Sequence, residues 1–109
     1  MAAKAPVSTP IHLASFVEYA EGCIVSRTLV DRKGGTLTLF AFAQGQNLSE
    51  HTAPFDAVVQ VVDGEALLII GGEEVRAGAG ELVIMPAHVP HAVRAEKRFK
   101  MLLIMIRGE

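Results

Sequence analysis

Tryptophan is absent from this chain of 109 residues, and cysteine and tyrosine occur once each. The lone thiol, Cys23, has no partner for an internal disulfide, so burial rather than cross-linking must hold the fold. Excess charge of one sign is lacking too: ten Lys and Arg against twelve Asp and Glu leave a formal net charge of -2 and a pI near 6.1. That balance gives no general attraction to nucleic acid or to an anionic membrane surface. Long apolar runs are missing although mean hydropathy is +0.36, because charged residues or glycines interrupt each run before the roughly 18 residues of a membrane span. The first dozen residues, MAAKAPVSTPIH, have one lysine and no continuous apolar stretch, so they do not read as a secretory leader. A loose tail is expected over 1–10, a single domain over 11–109, and a cytoplasmic location. Small molecules or protein chains remain as partners.

Half of the residues are apolar, enough for a substantial core in one domain of this length. Ten glycines divide them into short runs rich in Val, Ile, Leu, Thr and Phe, the pattern of many short strands joined by tight turns. Strands are predicted over Ile24 to Val30, Thr36 to Ala43, Phe55 to Val62, Ala66 to Ile70, Glu74 to Arg76, Glu81 to Met85, His91 to Arg94 and Phe99 to Ile106. Asp63-Gly64 and Gly71-Gly72 each lie between apolar runs and can supply the positive φ angles of a two-residue hairpin. Leu13, Phe16, Val17 and Ala20 recur at helical spacing, which predicts a short helix or helical turn before the first strand.

Several of these strands are apolar on both faces. In the last, Phe99, Met101, Leu103 and Met105 share one face, while Leu102, Ile104 and Ile106 share the other. In a small barrel one face lines the interior and the other is wet. The second apolar face therefore predicts an overlying sheet, a subunit interface or both, and a homodimer is expected.

Of the four histidines, His12 has no local companion and reads as a solvated or capping residue. His51 and His91 differ, because each sits in a frame of glycines and prolines: GQNLSEHTAPFDAVVQVVDG over Gly45 to Gly64, and GELVIMPAHVPHAVRA over Gly80 to Ala95. This arrangement resembles the cupin family, particularly its small, single-domain, RmlC-like members. The first motif of that family carries two histidines and a glutamate between glycines. Its second runs from glycine through proline and glycine to histidine and asparagine. The resemblance extends over roughly residues 22 to 107. It implies an all-β fold, a conserved barrel of the double-stranded β-helix or jelly-roll type, here with a short N-terminal helical turn, and motif residues facing a central pocket.

The resemblance also implies a divalent metal held by three histidines and an acid, since borderline ions prefer imidazole completed by carboxylate. Half of that set is present. His51 and His91 occupy its first and last positions, Ala53 stands where the second histidine belongs, and Ala57 falls at the acidic position. Asp56 is adjacent, but neighbouring side chains on a strand point to opposite faces unless a bulge re-aims one. His88 replaces the glycine of the second motif and Ala95 its asparagine. Three uses of His51 and His91 stay open. They hold iron, manganese, nickel, copper or zinc weakly with a third ligand such as His88 or Asp56, they anchor a ligand or move a proton in a metal-free pocket, or they merely bond to each other and to backbone.

On a strand running without a bulge, His51, Ala53, Phe55, Ala57, Val59 and Val61 would share one face. Phe40, Phe42, Met85, Met101, Leu103 and Met105 are the large residues expected to narrow the barrel. The expected ligand pocket thus comprises Phe40, Phe42, His51, Ala53, Phe55, Ala57, Met85, His91, Met101 and Leu103, with His91 and His51 as the candidate catalytic groups. Alanines in place of a histidine and an acid enlarge the space and make it more apolar, which suits a small, largely apolar ligand. Metal-dependent dioxygenase, isomerase or lyase-type chemistry, and a purely structural dimer module, are the alternatives that the resemblance allows. Cys23 reads as a packing residue, and Arg94, Lys97, Arg98 and Lys100 as a solvated connection.

Overall fold

The computed structural model describes residues 5–108. Residues 1–4 of the expected tail, and Glu109 at the far end of the expected domain, lie outside the described residues. One helical turn, α1 (Leu13–Phe16), precedes nine strands: β1 (Ile24–Arg32), β2 (Gly35–Phe42), β3 (Asn47–His51), β4 (Asp56–Asp63), β5 (Glu65–Ile70), β6 (Glu73–Gly78), β7 (Leu82–Met85), β8 (His91–Arg94) and β9 (Phe99–Ile106). They form a five-stranded sheet in the order β1-β2-β9-β4-β7 and a four-stranded sheet in the order β3-β8-β5-β6, with the registered neighbours antiparallel. From β2 onward the chain passes repeatedly from one sheet to the other, which wraps the two sheets into a barrel.

The two glycine turns behave differently. Gly71 and Gly72 both have positive φ and join β5 to β6 with Ile70 opposite Glu73, a two-residue hairpin as predicted. Asp63-Gly64 closes no hairpin, because β4 pairs with β7 and β9 whereas β5 pairs with β6 and β8. It is a corner at which the chain changes sheets. Gly64 has φ +74, and a Cβ there would stand 2.6 Å from the carbonyl oxygen of Arg98, so only glycine lets the corner close against β9.

The strand missed by the sequence pattern is β3. Its segment NLSEH has one large apolar residue, and it forms an edge of the four-stranded sheet with four of its five residues exposed, so little hydrophobic alternation marks it.

Alternation sorts the apolar residues into two clusters. Inward-facing residues of both sheets, among them Phe42, Val59, Val61, Leu68, Phe99 and Met101, fill the barrel. On the outer face of the five-stranded sheet, Leu39, Ala41 and Leu102 pack with Val17 under the N-terminal segment, with Leu13, Phe16, Tyr19 and Ile104 around them. The second apolar face of β9 is thus partly covered within the chain. Only one turn of helix forms, since Val17 is extended at φ -129 and drops into the sheet, where it is 1% exposed. Lys100, read from sequence as solvated, is buried here: its Nζ donates to the carbonyl of Ala14 and lies over the Tyr19 ring. Cys23 is exposed rather than packed; its neighbour Ile24 turns to the interior, which sends Cys23 to the outside.

Candidate functional site

Where β3 and β8 run side by side, His51 pairs with His91, and both side chains reach the open end of the barrel. Their imidazoles meet edge to face, with centroids 4.3 Å apart at 72° and Nε2 facing Nε2 at 3.1 Å. Each ring is fixed from behind by backbone. Nδ1 of His51 donates to the carbonyl of Ser49 at 2.9 Å, and Nδ1 of His91 to that of Val89 at 3.2 Å. His91 is 4% exposed, whereas His51 stands at the exposed rim. Burial, reinforced by the neighbouring His51, pushes the His91 imidazole below its usual pKa, and the Val89 carbonyl offsets this only in part.

The pair borders a cavity of about 200 Å³ lined by Leu48, His51, Ala53, Phe55, Ala57, Met85, His91, Val93, Met101, Leu103 and Met105. Apart from the two histidines, every lining side chain is apolar. Eight of the ten residues expected from sequence are brought together here, and two are not. Phe42 lies deeper in the barrel, stacked on Phe99 with centroids 4.6 Å apart, and Phe40 packs beside it at 5.9 Å. Both project from β2 into the filled part of the interior. Leu48 went unrecognised because β3 did, while Val93, two residues beyond His91 on one face of β8, could have been found from the strand period alone.

The single strand envisaged from His51 to Val61 is two strands in different sheets. β3 ends at His51, β4 begins at Asp56, and the intervening residues cross between them. Ala57 is nevertheless buried at the cavity wall, and Asp56 faces away: its Oδ1 accepts the backbone N–H of Ala87 at 2.9 Å. His88 does not join the histidine pair either. It is exposed on the turn before β8 at φ +67, with its backbone N–H bonded to the Ala53 carbonyl at 2.8 Å. Among the described residues no group of three His, Cys, Asp or Glu side chains is placed to hold a metal. The three-histidine, one-acid set of the resemblance therefore does not fit, because Ala53 and Ala57 supply no donor and Asp56 is turned outward.

A larger, open groove of about 610 Å³ runs past Glu65, Leu67, Arg76 and Glu96. Of its cationic residues, Arg76 is paired with Glu65 and Glu96, Arg98 lies over the Tyr19 ring, and Lys97 completes the lining. The cluster of basic residues is dispersed in the same way: Lys100 is buried, and Arg98 stacks over Tyr19.

Two crossed sheets around an apolar cavity, with histidines from adjacent strands at its open end, define a double-stranded β-helix barrel. The profile of the cupin domain matches residues 38–107, and the chain belongs to that family. Among solved structures, a conserved protein of unknown function from Streptococcus pyogenes is 32% identical, with a TM-score of 0.92 over 99% of this chain and 95% of that one. A cupin 2 conserved barrel domain protein from Leptotrichia buccalis is 44% identical over 88% of this chain and 47% of its own length, with a TM-score of 0.85. A cupin superfamily protein from Desulfitobacterium hafniense is 29% identical, with a TM-score of 0.89 over 99% of both chains. No curated protein matches the chain significantly.

Proposed function

We propose that this cupin barrel binds a small, largely apolar molecule in the cavity beside His51 and His91. The observation that carries the reading is the lining: a hollow of about 200 Å³ walled by aliphatic, aromatic and thioether side chains, with its polar side chains confined to one histidine pair. Apolar cavities on the order of 150 Å³ take up benzene-sized compounds, so the space suits a single ring or a short branched chain. The histidines give such a ligand one polar contact and hence an orientation. NMR titration of the full chain with toluene and with phenol tests this. Shifts should centre on Ala57, Val93 and Leu103 and vanish in Ala53→Leu, which fills the cavity; shifts spread over the surface, or none, would sink the reading.

A metal-dependent cupin enzyme of dioxygenase, isomerase or lyase type is the rival reading, and the His51–His91 pair is the observation that favours it. About one equivalent of iron, manganese, nickel or zinc per purified chain, lost in both His51→Ala and His91→Ala, would replace the binding proposal with that one.

The proposed protein is a cytoplasmic homodimer, as cell fractionation and sedimentation would establish. Support for the dimer comes from the outer face of the five-stranded sheet, where the register sets Ile84, Val58, Ile104, Leu37 and Val30 in one row. Leu82, Ile84 and Ile106 are 52%, 61% and 53% exposed there, an apolar patch that a second copy would cover. Ile84→Lys should then yield a monomer with an intact barrel.

A further inference from the structure

The contacts of the histidine pair outnumber its hydrogens. The Ser49 carbonyl, His51, His91 and the Val89 carbonyl form one chain of three contacts, at 2.9, 3.1 and 3.2 Å. Both carbonyl oxygens only accept, and each contact needs one hydrogen. Two neutral imidazoles carry two hydrogens between them, one too few. Moving a hydrogen from Nδ1 to Nε2 does not help, because it leaves that Nδ1 lone pair against a carbonyl oxygen. The chain is complete only when a further proton sits between the two Nε2 atoms, and the pair is then a monocation.

Among the described residues, no acid is placed to balance that charge. The cavity lining holds no carboxylate. The ion pairs join Arg76 to Glu65 and Glu96 and Arg107 to Asp31, and none involves either imidazole. Of the other titratable groups beside the site, Asp56 is engaged by the Ala87 N–H, and Glu50 and His88 are exposed. An uncompensated cation against an apolar wall is disfavoured, in keeping with the lowered pKa of His91. The empty site therefore lacks the third proton at neutral pH. A ligand that supplies a proton and remains as an anion meets both needs at once.

We propose that the ligand of this cavity is a small apolar carboxylic acid, held as its carboxylate against a His51–His91 pair that has taken its proton. The proposal rests on the binding role assigned to the cavity and names the chemical class that it takes. Binding breaks the acid's O–H bond and forms an N–H bond at Nε2, so a neutral acid and a neutral pair become a carboxylate and an imidazolium. Carboxylic acids ionise near about 4.3, below imidazole, and so yield the proton; a phenol, at about 10, keeps its own. The apolar part occupies the hollow of about 200 Å³, and the carboxylate stands at the open end beside the histidines. The competing account is a pair that stays neutral and accepts a hydrogen bond from a neutral ligand.

Calorimetric titration of the full chain with benzoate and with benzamide, its neutral isostere, is the test, run at pH 7 in buffers of different ionisation enthalpy. Benzoate should bind roughly 10-fold more tightly than benzamide or phenol and take up close to one proton per chain from the buffer. His51→Gln puts a neutral N–H donor at the exposed rim in place of an imidazole, so the variant should fold and still bind toluene. It should lose both the preference for benzoate and the proton uptake. Benzoate bound without proton uptake, or no more tightly than benzamide, or with its preference unchanged in His51→Gln, overturns the proposal. Toluene is scored separately: toluene held with no preference for benzoate over benzamide removes this inference alone, whereas a chain that takes neither toluene nor benzoate loses the small-molecule reading as well.

Discussion

At the end of the barrel where β2 finishes, Phe42 and Phe99 lie stacked, Val61 and Ala66 close around them, and the interior is filled. At the opposite end the same two sheets carry Ala57 and two histidines, Ala53 lies on the crossing between them, and a cavity remains. The backbone framework is shared, so the difference comes from side-chain volume alone. A barrel of this kind can be packed at one end and keep a hollow at the other, although Ala57, Met85, Val93 and Met101 of the hollow end belong to the same buried cluster.

Truncating the filled end should therefore cost most. Phe99→Ala is expected to lose about 3–5 kcal/mol in denaturant unfolding, whereas Met105→Leu at the hollow end should stay within about 1.5 kcal/mol. Equal losses would erase the distinction between the ends. The two glycine turns sharpen it further. Gly64→Ala meets the Arg98 carbonyl and should cost about 2–3 kcal/mol, while Gly72→Ala, with nothing within 4 Å of a new Cβ, should cost only about 1 kcal/mol for its positive φ.

At the hollow end, removal of strain or of an idle polar group should stabilise the chain. The Thr36 hydroxyl is buried without a partner, and register places Thr36 opposite Met105. Thr36→Val should raise stability by about 1 kcal/mol. His88→Gly relieves φ +67 and should gain about 0.5–1 kcal/mol, read as a rise in melting temperature. The smallest effect belongs to the surface beside the filled end. Arg76 holds the Glu96 carboxyl below its usual pKa, so the pair contributes above the unfolded value of about 4.3, and the contribution fades as pH falls through the lower folded one. Melting curves of wild type and Arg76→Ala should therefore converge on acidification from pH 7, with only a slight gap at neutrality because both groups are exposed.

Much of this architecture was legible in the chain. Short apolar and β-branched runs between turn residues identified eight of the nine strands, and the Gly71-Gly72 pair identified its hairpin. Two of the misreadings share one cause: a local pattern does not say which sheet a segment joins. Asp63-Gly64 has a hairpin's sequence, yet the strands on either side pair elsewhere. His51 and Ala57 lie in different sheets but meet at one cavity, and Asp56 was ambiguous until its bond to Ala87 N–H fixed its direction. Phe40 and Phe42 were placed on the correct face of β2 but at the wrong end, because alternation specifies the side of a strand and not the height along it.

The place of β9 has a consequence for how the molecule is made. This strand stands between β2 and β4, with Ile106 opposite both Gly35 and Asp56, so the middle of the larger sheet is filled by the segment synthesised after the other eight strands. Until residue 106 has left the ribosome, β2 and β4 each present an unpaired edge where β9 belongs. Translation thus holds the sheet open until its final strand arrives, and a nascent chain stalled before Phe99 should be a target for holdase chaperones and proteases.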